Sequence, residues 1–192
     1  MQQIISTKER IILGIDPGTA VMGYGLVKET GPKIELIALG VVKMDKIDDH
    51  MLKLQRIFEK TVALIDNYKP DCLAIEAPFY GKNIQVMLKL GRAQGVAMAA
   101  ALSRNIEVTE YSPRKIKQSI TGNGNAAKEQ VAAMLQSLLS FKETPDFLDA
   151  TDGLAVAVCH AFQRMPAGKS GSKKSYSGWD TFVKDNVKRV VK

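Results

Sequence analysis

The sequence lacks the features that would mark a membrane or exported protein. No stretch approaches the roughly 20 apolar residues that a membrane-spanning helix requires, so we expect no membrane contact. Segment 1–10 is polar and has no apolar core of the kind found in export signals. These two absences predict a protein that stays in the cytoplasm.

Residues that bind soft metals are equally scarce. The 192 residues contain two cysteines, Cys72 and Cys159, and two histidines, His50 and His160. Neither cysteine has a second cysteine or a histidine at metal-ligand spacing, and both lie in apolar runs. We therefore predict two buried thiols in a reducing compartment, and packed or solvated histidines without a catalytic role.

Acidic residues are absent from two stretches, 77–106 and 111–128, although both contain lysine and arginine. The net charge of +7 is concentrated in segment 164–192, which has eight basic residues and two aspartates. The rest of the chain is almost neutral, so its field is polarised between acid-free basic segments and separate carboxylates. Such a field suits the holding of a polyanion over a cation-binding site.

Apolar periodicity predicts alternating strands and helices. The predicted strands lie at 11–15, 21–28, 34–44, 71–76 and 106–111, and the helices at 48–68, 84–104, from 113, 126–139 and 144–164. Short turns between the first three strands predict an antiparallel meander within an α/β domain that has a mixed sheet. Helix 84–104 is apolar on more than one face, so we expect the sheet to cover one side and a partner subunit another. Segment 166–177 has linker composition, and 180–192 could form a short basic helix. We predict that 166–192 is a flexible basic tail behind a domain of residues 1–165.

Two predicted strands end in an acidic residue, and a proline follows each acid closely. Asp16 precedes Pro17-Gly18, and Glu76 precedes Ala77-Pro78. Taken alone, each acid is more typical of a turn than of a functional site. In a mixed sheet, however, neighbouring strands can bring such ends together, so both acids are candidates for one site.

A second pair of acids, Asp149 and Asp152, opens the last predicted helix. Their spacing of three places both on one helical face, directly before an apolar run that must be buried. The pair could equally complement the helix dipole. With Asp16 and Glu76 they form a set of hard oxygen donors suited to Mg²⁺ or Mn²⁺. Because two such ions assist phosphodiester hydrolysis, we expect a catalytic site with two Mg²⁺ ions and Mn²⁺ as a substitute.

Aromatic and basic side chains near these acids are candidate DNA contacts. An aromatic pair follows Glu76 and is expected to stack on bases or wedge between them, although either ring could belong to the core. Basic residues of the acid-free stretches are expected to contact phosphates. The candidates are Phe79, Tyr80, Lys82, Lys89, Arg114, Lys117 and Lys128.

An ordered set of motifs resembles the RuvC family of crossover junction endodeoxyribonucleases. The first motif, 12–19, is also similar to a strand of the actin-like ATPases, but the whole set spans about residues 10–164 and is specific. The motifs are 12–19 (ILGIDPGT) with 23–25 (GYG), 74–76 (AIE) with Phe79 and 82–83 (KN), 88–91 (LKLG), 117–118 (KQ), Lys128 with 130–131 (QV), and 149–155 (DATDGLA).

The resemblance implies an RNase H-like fold, in which a five-stranded mixed sheet carries helices on both faces. It implies a homodimer that cuts four-way (Holliday) DNA junctions symmetrically and works with the RuvA-RuvB branch-migration complex. By motif match, the divalent-metal ligands would be Asp16, Glu76, Asp149 and Asp152. Phe79 would enter the junction, and Lys117 and Lys128 would contact DNA. The alternatives are a junction-binding module without chemistry and an actin-like ATP-binding domain.

Overall fold

The computed structural model describes residues 9–78, 83–142 and 147–164, and these contain five strands and five helices. The strands are β1 (Glu9–Asp16), β2 (Val21–Thr30), β3 (Lys33–Lys43), β4 (Cys72–Glu76) and β5 (Glu107–Tyr111). The helices are α1 (His50–Tyr68), α2 (Ile84–Leu102), α3 (Pro113–Thr121), α4 (Lys128–Leu139) and α5 (Phe147–Arg164). None of these helices is both long and apolar enough to cross a membrane.

The five strands form one mixed sheet in the order β3-β2-β1-β4-β5. The β1–β2 and β2–β3 pairs are antiparallel, whereas β1–β4 and β4–β5 are parallel. The predicted meander and mixed sheet are therefore confirmed. Because β1, β4 and β5 run in the same direction, their carboxyl ends lie at one edge of the sheet.

Helices cover both faces of the sheet, as the resemblance implied. On one face, Ile12, Val27 and Cys72 pack with the apolar residues of α3, α4 and α5. On the other face, Leu13 and its neighbours in the sheet pack with residues of α1 and α2 such as Ile57. Successive strand residues point to opposite faces, so the continuous apolar run of β1 supplies both cores.

Helix α5 lies unusually close to the centre of the sheet. A Cβ atom at Gly14 would overlap the carbonyl oxygen of Gly153 and the amide nitrogen of Ala157. A Cβ atom at Gly25 would overlap the backbone of Leu154. Glycine is required at these strand positions because no side chain fits between the sheet and the helix backbone. This close approach sets the position of the first turns of α5.

The ends of the helices follow local capping chemistry. The Asp49 carboxylate accepts hydrogen bonds from the backbone amides of Met51 and Leu52 at the start of α1, and Ser112 caps α3 ahead of Pro113. Helix α2 ends at Leu102, two residues earlier than predicted, and the Ile106 amide turns back to the Ala101 carbonyl.

We expected α2 to be covered on two sides, and the described residues of this chain cover one of them. Ala93, Ala97 and Ala101 are buried against the sheet, whereas Ile84, Leu88 and Leu102 expose 70%, 51% and 59% of their surfaces. Composition indicated an apolar helix but could not indicate which of its sides the same chain covers.

The prediction of two buried thiols and of a packed histidine is confirmed for Cys72, Cys159 and His160. Cys72 and Cys159 are buried and form no disulfide. His160 is packed in the core, where its Nδ1 lies 3.0 Å from the Tyr111 hydroxyl and its Nε2 lies 3.4 Å from Cys72 Sγ. Phe79, Tyr80, Lys82, the predicted start of the last helix at 144–146 and the tail 166–192 lie outside the described residues.

Candidate active site

Asp16 and Glu76 end two neighbouring parallel strands. Ile15 of β1 pairs with Ile75 of β4, and the acids are the next residue of each strand. Both side chains line the same cleft at the carboxyl edge of the sheet, where each is partly buried. The sequence prediction that two strand ends bring these acids together is confirmed.

Helix α5 brings a third acid to this cleft. Asp152 lines it together with Asp16 and Glu76, and 17% of the Asp152 side chain is exposed. Asp149, one turn earlier, is 50% exposed and lies at the rim of the site, where its charge still acts on Asp16. The close packing of α5 on Gly14 and its neighbours therefore fixes the distance between the helix acids and the strand acids.

Lys128, the first residue of α4, provides a positive charge beside these acids. Its Nζ donates a hydrogen bond to Asp152 Oδ2 at 2.5 Å and lies 3.8 Å from Asp149 Oδ1. The predicted DNA-contacting lysine is thus also a counter-ion for the carboxylate cluster. Burial lowers the pKa of Lys128, but the hydrogen bond to Asp152 and the surrounding carboxylates outweigh this effect and raise it.

The carboxyl groups of Asp16, Glu76 and Asp152 resist ionisation. Burial, followed by repulsion from Asp152, raises the pKa of Asp16 to about 6 despite the opposing charge of Lys128. Burial and repulsion from Asp16 raise the pKa of Glu76 to about 8. Burial also raises the pKa of Asp152, against the hydrogen bond from Lys128. A single lysine does not balance the negative charge gathered here.

The cleft is large enough for part of a nucleotide and has a basic lining. Its volume is about 540 Å³, and Arg114, Lys117 and Lys128 line it with the three acids. The polar side chain of Asn125 belongs to the same lining. A cleft that places cations beside carboxylates matches the requirements of a phosphodiester bound over a metal site.

A second, smaller cleft lies against the same two strand ends. It has a volume of about 250 Å³ and is lined by Asp16 and Glu76 together with two prolines, Pro17 and Pro78, and Leu90 of α2. The two strand acids are therefore accessible from both sides of the sheet edge. Pro17 and Gly18, which follow Asp16 directly, also belong to the lining of this cleft.

The structure does not bring every predicted residue to the site. Lys89 is exposed on α2 and lines neither cleft. Asn125 was not predicted, because a glycine-rich loop gives no signal for which of its polar side chains faces a distant helix. Gln94 was also missed, since only the fold shows that this buried side chain reaches the end of β4.

The donor chemistry of the site fits divalent cations such as Mg²⁺. Within 9–78, 83–142 and 147–164, no three acidic, histidine or cysteine side chains are already arranged as a metal site. Nevertheless, Asp16, Glu76 and Asp152 are hard oxygen donors whose mutual repulsion an added cation would relieve. The residues present therefore fit a divalent metal.

Comparison with known proteins agrees with this geometry. Residues 12–160 match the family "Crossover junction endodeoxyribonuclease RuvC". The RuvC protein of Christiangramia forsetii is 59% identical over 98% of this chain and 97% of its own length, and that of Bacteroides fragilis is 58% identical over 95% and 97%. The structure of Thermus thermophilus RuvC in complex with a Holliday junction substrate superposes with a TM-score of 0.74 at 33% identity, over 80% of this chain and 94% of that one. The chain therefore belongs to the RuvC family of crossover junction endodeoxyribonucleases.

Proposed function

We propose that this protein is a structure-selective endonuclease that resolves four-way DNA junctions. It makes paired, symmetric cuts by metal-dependent phosphodiester hydrolysis and leaves 5′-phosphate nicks, in homologous recombination and DNA repair. The observation that carries this proposal is the convergence of Asp16, Glu76 and Asp152 in a cleft with three basic side chains, in a chain of the RuvC family.

Four carboxylates are the proposed metal ligands, with two Mg²⁺ ions per site and Mn²⁺ as a substitute. They are Asp16, Glu76, Asp152 and, from the rim, Asp149. When bound, such ions lower the pKa of a water molecule and stabilise the departing 3′ oxygen. The chain itself contributes rigidity, because two ligands stand at strand ends and two on a helix held against glycines.

The basic residues of the cleft would bind the phosphates that flank the cut. Arg114 and Lys117 of α3 line the cleft, and the charge of Lys117 reaches both Glu76 and Asp152. Lys128 has three donor hydrogens, so it can hold Asp152 and still donate to a DNA phosphate. Phe79 is a proposed DNA contact on the strength of the family resemblance. Tyr80, Lys82 and Lys89 are proposed because they belong to the aromatic pair and the acid-free basic stretch of the sequence.

The bare side of α2 is the proposed dimer interface. Its exposed residues Ile84, Leu88, Gly91, Gly95 and Leu102 recur at spacings of three, four and seven along one stripe of the helix. Among the described residues, and apart from the neighbouring backbone of α2 itself, no atom lies within 4 Å of a Cβ built at Gly91 or Gly95, so a second helix could approach closely there. A dimer formed in this way would carry two active sites, as paired cuts require.

Sedimentation of a variant tests this interface. Leu88→Glu places a charge in the stripe and should convert the dimer to a monomer. Leu138→Glu is the matched control, since Leu138 is similarly exposed, at 46%, on α4. A Leu88→Glu protein that sediments like the control would contradict the proposed interface.

Of the remaining assignments, the protein partner rests on the family resemblance, whereas the location, the domain boundary and the tail rest on the sequence itself. The RuvA-RuvB branch-migration complex is the proposed protein partner, and the cytoplasm the proposed location. Residues 1–165 are proposed as the nuclease domain, with 166–192 as a basic tail that adds non-specific affinity for DNA. Deletion of the tail should then weaken binding to duplex and junction alike and reduce the salt dependence of both.

Incubation with a synthetic four-way junction and Mg²⁺ tests the activity directly. We expect symmetric nicks with 5′-phosphate ends in the junction, no cleavage of a linear duplex of the same sequence, and no reaction in EDTA. Binding of the junction without cleavage at any divalent ion would instead support a non-catalytic module. Binding of labelled ATP would support the actin-like alternative.

A further inference from the structure

Gln94 is a buried polar residue whose side chain reaches the end of the strand that carries Glu76. It lies on α2 with 7% of its surface exposed. Its Nε2 atom donates to the backbone carbonyl of Glu76 at 3.3 Å and to Glu110 Oε2 of β5 at 2.7 Å. One side chain therefore connects α2 with the ends of two parallel strands.

At Glu76 the ladder between β4 and β1 has already ended, although β4 still pairs with β5 there. Pairing between β1 and β4 ends at Ile15 and Ile75, one residue before the two acids. On the other side, the Ala77 amide still donates to the Tyr111 carbonyl at 2.9 Å. Gln94 supplies a hydrogen bond to the Glu76 carbonyl from the helix layer, and thus limits rotation of the residue that bears the carboxylate.

The chemistry of the two partners fixes the orientation of the amide. A backbone carbonyl and an ionised carboxylate both only accept hydrogen bonds, so the NH₂ group of Gln94 must face them. The bond to Glu110 is charge-assisted and is the shorter of the two. Glu110 is exposed and has no place in the clefts, so it acts as the support that orients Gln94.

We infer that Gln94 is a positioning residue that holds Glu76 in register with Asp16 and, through α2, connects the active site to the bare side of that helix. The inference rests on the proposed function insofar as Glu76 is a metal ligand. Gln94 itself touches neither the cleft nor the reacting atoms. Loss of such supporting hydrogen bonds behind a metal ligand typically costs about 10- to 100-fold in metal affinity or activity.

Gln94→Met tests the inference, because methionine nearly preserves the size of the side chain but removes the donor. The first measurement is the rise in melting temperature that Mn²⁺ causes without DNA. The second is the single-turnover rate of junction cleavage. Ser103→Ala is the matched control, since it removes a side-chain hydrogen bond to the Ala100 carbonyl at the far end of the same helix.

We expect Gln94→Met to need about 10-fold more Mn²⁺ for the same stabilisation and to cleave about 10-fold more slowly. Its affinity for the junction in EDTA should equal that of Ser103→Ala. If both Mn²⁺ response and cleavage match the control, the inference is overturned. If the wild-type protein binds Mn²⁺ but does not cut the junction, the proposed function fails, whereas the Mn²⁺ comparison still decides the role of Gln94.

A second variant avoids any disturbance of the core. Glu110→Lys replaces the acceptor by a donor, which favours the flipped amide and turns Oε1 of Gln94 towards the Glu76 carbonyl. Glu107→Lys makes the same charge change at an exposed position of the same strand. A weaker Mn²⁺ response in Glu110→Lys than in Glu107→Lys supports the inference, and equal responses overturn it.

Discussion

The two faces of the sheet hold their helices by different means. On one face, α5 lies against β1 and β2 with backbone close to backbone, at positions where only glycine fits. On the other face, α1 and α2 pack through ordinary apolar side chains, and α2 leaves a stripe of apolar residues exposed. The first face leaves no space for an added side chain between the sheet and α5, whereas on the second face apolar side chains of α2 remain exposed.

This difference corresponds to two separate functions in the proposed enzyme, metal binding on one face and dimer formation on the other. A metal site requires ligands held to within a fraction of an ångström, and α5 provides two of the four acids. An interface with another copy requires surface that this chain leaves uncovered, and α2 provides it. Gln94 of α2 donates a hydrogen bond to the backbone carbonyl of Glu76 and so connects the second face to a strand that carries one of the acids.

Substitution of one glycine on each face should give the largest difference in stability between the two faces. Gly14→Ala must push α5 away from β1, so we expect a loss of about 3 kcal/mol or more in the free energy of unfolding, together with loss of cleavage. Gly91→Ala adds the same methyl group on the side of α2 that the rest of the chain leaves open, so at concentrations where the proposed dimer is dissociated it should change stability by about 1 kcal/mol or less. Urea denaturation measures both. Equal effects would mean that the two faces do not differ in this way.

The acids at the edge of the α5 face should make the metal-free protein less stable as the pH rises. Glu76 has an ordinary pKa of 4.5 and a folded-state pKa of about 8, so folding favours its protonated form. The stabilising contribution is complete below pH 4.5 and disappears as the pH approaches 8. Glu76→Gln should remove this decline and, in EDTA at pH 8, stabilise the protein by on the order of 2 kcal/mol.

Unfolding in EDTA across this pH range, for the wild type and Glu76→Gln, provides the measurement. Mg²⁺ should stabilise the wild type at pH 8 and have little effect on the variant. Parallel pH profiles for the two proteins would show that folding does not raise the pKa of Glu76.

Removal of the lysine counter-ion should have a smaller effect on stability. Lys128 is half exposed, so solvent screens its interaction with Asp152, and Lys128→Gln should cost about 1 kcal/mol or less in EDTA. Because it removes a phosphate contact, it should also reduce the salt dependence of junction binding by about one unit of slope. Lys46→Gln changes an exposed turn residue outside both acid-free stretches and both clefts, and serves as the control in salt titrations. Identical slopes for the two variants would contradict the contact.

The smallest effect is expected on the α1–α2 face, at an ion pair between exposed side chains. Arg104 Nε lies 2.9 Å from Asp66 Oδ1, next to the end of α2. Exposed pairs of this kind contribute little, so Arg104→Ala should melt and cleave like the wild type. A clear loss of cleavage would reveal a coupling to the active site that the contacts do not predict.

Much of the fold and the central acids could be predicted from the sequence, because their signals are local. Asp16 and Glu76 each follow an apolar strand and precede a proline, and Asp149 and Asp152 share one helical face. Three of these four acids line one cleft in the structure. The antiparallel meander of β1, β2 and β3 also followed from turn lengths, since short turns favour antiparallel neighbours.

Other features could not be predicted, because they depend on contacts between distant parts of the chain. The ion pair of Lys128 with Asp152 joins residues 24 positions apart, and nothing near Lys128 distinguishes it from a solvated lysine. The reach of Gln94 to Glu76 is hidden for the same reason. The sequence predicted that α2 has a second apolar side for a partner, but apolar composition did not specify which residues form that side.

The most direct test of the central claim is junction cleavage by Asp16→Asn. Asp45→Asn makes the same chemical change at an exposed turn residue and controls for the loss of one carboxylate. With Mg²⁺, we predict that Asp16→Asn leaves a four-way junction bound but uncut, while the wild type and Asp45→Asn cut it in pairs. Cleavage by Asp16→Asn at close to the wild-type rate would contradict the assignment of the carboxylate cluster as the metal-binding catalytic centre.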